Sequence, residues 1–163
     1  MSLRLLTRYG LTRAPADGGE ADVVIEPTGS GNVSQFSLRT YGQFTPAADT
    51  QLRGLRDAHQ ASGLTLSARV WRVSDQDLLS VVTDITQDGG VYEARFESEV
   101  TLLEGVAYRI GWTSVSGNVN AVGSSRAWEG FTTLNRTYYG SGTVYPNSFT
   151  RNWNVVFSLL VAP

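Results

Sequence analysis

The chain has 163 residues and a mass of 17.7 kDa, enough for one domain with a complete hydrophobic core. It contains no cysteine, which excludes disulfides, thiolate nucleophiles and cysteine-based zinc sites, and its net charge of −2 with no basic run argues against a nucleic-acid partner. With 41% hydrophobic and 17% charged residues, 17 glycines and no stretch near the ~20 apolar residues of a membrane helix, the composition suits a turn-dense β protein and excludes membrane insertion by a helix.

Residues 1–33 hold two short apolar pieces, Leu3–Leu6 and Val23–Ile25, separated by Ala14-Pro15-Ala16-Asp17-Gly18-Gly19 and followed by Pro27-Thr28-Gly29-Ser30-Gly31. This pattern predicts an extended amino-terminal arm, with Leu3, Leu5, Tyr9, Val23 and Ile25 as the side chains that would dock it on a neighbour by strand addition. Arg4, Arg8 and Arg13 lie near the start without an adjoining apolar run, so no secretory signal pattern is visible and the expectation is a soluble chain without that route of export.

From residue 34 to 163 apolar and polar side chains alternate in short segments broken by Gly, Asp, Asn and Pro, which predicts an antiparallel β-sandwich of seven or eight strands. In chain order the strands expected are Gln35–Phe44 and Gln51–Ala58, joined by the turn Pro46-Ala47-Ala48-Asp49, and then Leu64–Val70. Ser74-Asp75-Gln76-Asp77 turns the chain into Leu78–Ile85, which Asp88-Gly89-Gly90 closes. The clearest strand is Tyr92–Leu102, with Tyr92, Ala94, Phe96, Ser98, Val100 and Leu102 on one face and Glu93, Arg95, Glu97, Glu99 and Thr101 on the other. After Glu104-Gly105 the alternation of Val106, Tyr108, Ile110 and Trp112 predicts the next strand, paired with its predecessor. Residues 113–152 are loop-rich, with short strands at Val119–Val122 and Trp128–Thr133; Trp153–Val161, half apolar on both faces, is expected as a central closing strand.

Little in the chain has catalytic spacing. His59 is the single histidine and has no G-x-S-x-G companion, so it reads as a solvated loop residue, and metal sites built on several histidines are excluded by counting. There is no lysine, hence no P-loop; all 13 basic residues are arginine. Glu97 and Glu99 would stand about 7 Å apart at about 3.4 Å per strand residue, a separation a glycosidase could use, yet Glu93 and Arg95 on the same face fit a solvated strand surface. Asp75 and Asp77 fit a turn better than a calcium site, and neither a metal nor a cofactor is expected. The aromatic and polar side chains of the loop-rich stretch point to binding: rigid rings give contact area at low entropic cost, and sugars stack on them. Trp128, Arg136, Tyr138, Tyr139 and Tyr145 are the candidate ligand residues, with membership of late core strands as the other reading of Trp128 and some tyrosines.

Several runs carry a resemblance. They are Tyr41-Gly42-Gln43-Phe44-Thr45-Pro46 before a turn, Leu52–Leu55, Ala68-Arg69-Val70-Trp71 leading to Asp77-Leu78-Leu79-Ser80, Val91–Phe96, Val100–Ile110 and Asn152–Phe157. In these, residues 34–163 resemble a jelly-roll family of unknown function found in secreted bacterial carbohydrate-active proteins and in minor tail proteins of phages with GC-rich hosts. The resemblance implies a jelly-roll-like antiparallel sandwich and no catalytic residues. Together with the arm and the absent export signal it implies a non-enzymatic structural or adhesive protein of a phage virion, a minor tail or capsid-decorating protein. Its expected partners are other virion proteins, further copies of itself (a trimer among the options) and host surface glycans. The alternatives are a carbohydrate-binding module of a bacterial extracellular protein and, further off, a glycoside hydrolase using Glu97 and Glu99.

Overall fold

The computed structural model describes residues 20–139 and 144–163. Among these residues thirteen strands form three antiparallel sheets and no helix occurs. A four-stranded sheet has the order β1 (Val23–Ile25), β13 (Ser158–Val161), β4 (Thr50–Asp57) and β7 (Tyr92–Leu102). The larger sheet runs β12 (Ser148–Arg151), β11 (Arg136–Tyr139), β3 (Arg39–Pro46), β8 (Tyr108–Ser114), β5 (Leu66–Arg72) and β6 (Leu78–Ile85), with β10 (Phe131–Thr133) also paired to β3. A two-stranded sheet joins β2 (Val33–Ser37) to β9 (Val119–Val122).

The sandwich closes because each large sheet is apolar on one face. Tyr92, Ala94, Phe96, Val100 and Leu102 of β7 and Leu52 and Leu55 of β4 meet Phe44, Leu66, Ala68, Val70, Tyr108, Ile110 and Trp112 of the larger sheet. Leu52 and Leu55 are three residues apart, an odd spacing that would send them to opposite faces of a regular strand. A bulge at Arg53 restores the phase: Leu52 pairs with Val161 and Val100, whereas Gly54 pairs with Leu160 and Arg95. Rings fill the centre, with Phe44 and Trp128 edge to face at 5.0 Å and Phe157 5.9 Å from Phe44, 6.3 Å from Trp112 and 6.5 Å from Trp128.

Several expectations need correction, beginning with the count of seven or eight strands: thirteen occur among the described residues, and Gln35–Phe44 divides between β2 and β3, which lie in different sheets. β7 and β8 are not neighbours: β7 pairs with β4, and β8 lies between β3 and β5 in the opposite sheet. The link over residues 103–107 crosses between sheets, with Gly105 at φ 70° and its N–H on the Pro46 carbonyl, while Leu103 N–H donates to the Tyr108 hydroxyl. Nor does Trp153–Val161 form one strand, because only Ser158–Val161 pairs as β13 while Val155–Phe157 are buried between the sheets outside any strand. The covering of β13 on both sides does hold, as Leu159 and Leu160 on opposite faces are both buried.

The arm does not extend to residue 33. Val23–Ile25 pair with Val161, Leu160 and Leu159, so Val23 and Ile25 pack on the chain's own core rather than on a neighbour. The Asp22 carboxylate, only 3% exposed, anchors this edge strand through Arg53 at 3.4 Å and through Arg95. Leu3, Leu5 and Tyr9 lie outside the described residues.

Gly54 marks the tightest approach of β4 to β7: a Cβ there would stand 2.0 Å from the Ala94 carbonyl oxygen. Gly54→Ala is expected to lower stability by about 2 kcal/mol through overpacking of backbone. Gly63, at φ 79° with nothing within 4 Å of an added Cβ, should cost only its backbone strain, about 1 kcal/mol, when changed to Ala. Urea unfolding of the two variants checks the order of the losses.

Candidate functional site

The outer face of the larger sheet is basic and aromatic. β3, β8 and β5 contain no Asp or Glu. Their registers set Tyr41, Gly111 and Arg69 in one row and Arg39, Thr113 and Ser67 in the next. Tyr41, Trp71, Tyr138 and Tyr145 form a second buried cluster on this face. The Arg109 guanidinium lies 3.8 Å from the centroid of the Tyr138 ring and 4.4 Å from that of Tyr145, and it donates to the Pro146 carbonyl. A half-buried cation between two ring faces is worth about 1–2 kcal/mol, which helps hold the Tyr145 segment down on the sheet. The Tyr41 hydroxyl shares a 2.7 Å hydrogen bond with Thr113, and burial pushes its pKa up.

The candidate ligand residues therefore divide. Trp128 sits in the main core, on the other side of this sheet, and its indole N–H donates to the Phe157 carbonyl at 2.9 Å, so it offers no ring face to a ligand. Tyr138 and Tyr145 are buried as partners of Arg109. Arg136 stacks over Phe149 at 4.6 Å, and Tyr139 is 37% exposed.

Tyr139 has partners of its own that the sequence reading did not single out. Phe36 of β2 meets it edge to face at 6.1 Å, and Trp153 lies 5.1 Å from Phe36, tilted by 37°. Phe36 and Trp153 are half-buried, and the Trp153 ring lies 3.8 Å from where a Cβ on Gly123 would be, an ordinary van der Waals distance. The three rings make an aromatic rim where the edge of the larger sheet meets the β2–β9 sheet. The only signal for Phe36 and Trp153 in the sequence is their ring chemistry, since their meeting depends on the pairing of β2 with β9.

Of the four carboxylates weighed for chemistry, Asp75, Asp77 and Glu99 are engaged by arginines. Arg72 reaches both Asp75 oxygens from Nε at 3.0 Å and Asp77 from Nη2 at 3.3 Å, and this contact holds the Asp75 carboxyl below its usual range. Glu99 accepts from Arg53 Nε at 2.7 Å. Glu97 and Glu99 belong to the loop-out of β7 opposite Arg53 and line a shallow groove of about 410 Å³ with Arg72, Ser80 and Thr101. Among the described residues no group of three or more His, Cys, Asp or Glu side chains could hold a metal ion.

His59 sits at a second, better-formed concavity. The buried Asp57 carboxylate accepts from His59 N–H at 2.8 Å and from Gln60 Nε2 at 2.8 Å, and it stands 3.5 Å from His59 Nδ1. Gln60 Oε1 accepts from Asn120 N–H at 2.6 Å, and Asn120 Nδ2 donates to the His59 carbonyl at 2.7 Å, tying the loop to β9. Hydrogen bonding to Asp57 raises the His59 pKa above its ordinary value. The adjoining cleft, about 500 Å³, takes Arg56 and Ser158 from the paired strands β4 and β13 and Glu26 and Arg126 from loops.

Compared with known proteins, the chain matches no protein-family model and no curated protein.

As the single histidine, His59 can be followed without assignment ambiguity by proton NMR. It should titrate above the about 6.5 of free imidazole, and Asp57→Asn should bring the midpoint down. Since the folded value is the higher one, this contact stabilises the fold fully below about pH 6.5 and its contribution is lost as pH rises through the folded pKa. Equal midpoints in the two proteins would contradict the coupling.

Proposed function

We propose that the chain is a non-enzymatic structural and adhesive protein of a phage virion, a minor tail or capsid-decorating protein that meets host surface glycans through the rim of Phe36, Tyr139 and Trp153. The rim carries the glycan half of this reading. Three rings from separate parts of the chain stand together on the sandwich, with Tyr139 37% exposed and the other two half-buried. Rigid aromatic side chains lose little entropy on contact and present apolar faces on which sugar rings stack. The virion half rests on the resemblance of residues 34–163 to phage tail jelly rolls, with Leu3, Leu5 and Tyr9 as the docking side chains.

The non-enzymatic reading is supported by the engagement of three of the four candidate acids: Glu99 is bound to Arg53, and Asp75 and Asp77 to Arg72, which leaves Glu97 without the paired carboxylate a glycosidase needs. The same rim would serve a carbohydrate-binding module of a bacterial extracellular protein, so the two halves of the proposal need separate tests.

Mass spectrometry of purified phage particles from the source strain should find the chain, and its absence from particles removes the virion half. On a glycan array the wild-type protein should bind a defined subset of sugars, with Trp153→Ala and Tyr139→Ala each weakening binding about tenfold, the loss of roughly one stacking contact. Binding that survives both changes, or no binding by the wild type, removes the rim as the glycan contact.

A further inference from the structure

The cleft beside His59 concentrates positive charge in a way the rim does not. Arg56, His59 and Arg126 line one concavity, opposed there by Glu26 alone. Arg126 donates from Nη1 to the Gly29 carbonyl at 2.6 Å, which holds its guanidinium at the cleft wall, while its Nε is buried away from the cleft. Arg56 has a carboxylate only at 4.0 Å, Glu93, so its fork is largely unspent. Asp57 faces Nδ1 of His59 and is saturated by the loop, which leaves Nε2 as the ring nitrogen without a partner among the described residues. Arg56 and His59 Nε2 thus face the cleft as uncommitted donors with the Arg126 charge beside them, and a guanidinium fork matches a carboxylate in geometry as well as charge.

Size and lining narrow the ligand. The cleft's volume of about 500 Å³ lies in the range of small-molecule sites and far exceeds what a bare carboxylate fills. The rest of the wall alternates hydroxyl and carboxylate acceptors, Ser158 and Glu26, with the apolar surfaces of Val91 and Val156. Hydroxyls beside C–H faces are what a sugar presents. We propose that this cleft binds the carboxylate of an acidic monosaccharide, with Arg56 and Arg126 on the carboxylate, His59 Nε2 beside it and Ser158 and Glu26 on the hydroxyls. The site shares no residue with the aromatic rim, and it stands or falls apart from the glycan reading of that rim.

The charged groups around His59 are Glu26, Arg56, Asp57 and Arg126, with Glu93 behind Arg56. Of these, His59 is the group whose ordinary pKa falls between pH 6 and 8. An anion in the cleft should therefore bind more tightly as pH falls through that interval.

The test is a titration of the wild-type chain with sodium glucuronate, following the His59 imidazole signals by NMR, with glucose, acetate and inorganic phosphate as matched probes. Glucuronate is expected to shift the His59 signals saturably at millimolar concentration, more tightly at pH 6 than at pH 8, and to raise the His59 midpoint. Arg56→Gln and Arg126→Gln should each weaken it about tenfold, equal to about 1.4 kcal/mol, and Trp153→Ala should leave it unchanged. The wild-type titration alone decides the matter if a variant fails to fold. No saturable shift up to about 50 mM glucuronate, which would put any affinity weaker than about 2 kcal/mol, overturns the proposal. So does acetate, phosphate or glucose binding as tightly as glucuronate.

Discussion

The hydrogen bond from the Trp128 indole to the Phe157 carbonyl is the constraint on which the sandwich depends. A buried indole N–H left without an acceptor would cost about 1–3 kcal/mol, and in a sheet most carbonyls are already committed to the ladder. The chain resolves this by leaving Val155–Phe157 out of any strand, so that the Phe157 carbonyl is available inside the core. Phe44, Trp112 and Trp128 then converge on the Phe157 ring from the larger sheet and its adjoining loop. Ser158 begins β13 immediately afterwards, so the anchoring of Phe157 also sets where β13 enters between β1 and β4. The cleft wall at Val156 and Ser158 inherits its position from the same anchor.

What could be read from the sequence follows from what alternation encodes. Leu78–Ile85, Tyr92–Leu102 and Val119–Val122 were expected as strands and form β6, β7 and β9 over those residues. Period-2 patterning records which face a side chain takes, and in β7 the expected inward residues are the buried ones, Ser98 apart. It does not record the partner strand. That is why β7 and β8, which alternate in phase around a Glu-Gly turn, were expected to pair and instead belong to opposite sheets. The bulge at Arg53 is hidden for the same reason, since its purpose is to reconcile Leu52 and Leu55 with two partners of different length. Val23–Ile25 was expected to add to a neighbour and instead pairs with β13 of its own chain, because three residues carry almost no periodicity and Asp22, which fastens them, reads as an ordinary polar residue.

The candidate site was legible as composition but not as arrangement. Tyr, Trp and Arg in a Gly-rich stretch do mark binding surfaces, yet the same residues build cation–π stacks that pin a segment to a sheet, as Arg109 does between Tyr138 and Tyr145. A sequence gives no means of telling the two uses apart, because both draw on flat rings and a delocalised cation. Phe36 and Trp153, more than a hundred positions apart, become neighbours only through the fold. The His59 arrangement is more local, with the acceptor two residues upstream and Gln60 adjacent, so the turn could have been anticipated from Asp57.

The distribution of charge decides where contact can occur. On the smaller sheet the outer face is covered by a network in which Asp22, Glu93 and Glu99 meet Arg53, Arg56 and Arg95. Apart from the buried Asp22, these pairs are exposed and individually worth little, but together they keep the face polar and satisfied. On the larger sheet much of the outer face is occupied by the aromatic cluster stacked on Arg109, and there burial replaces solvent as the partner of the rings. Both broad faces are thus in large part spent on the fold's own stability, which leaves the margins as the places with uncommitted rings and cations. The margins offer two chemically distinct places, an aromatic rim without a carboxylate or lone cation in its ring contacts and a cleft whose cations outnumber its acids. A ligand that bridged sugar faces and a sugar carboxylate would find each half of its chemistry at one of them.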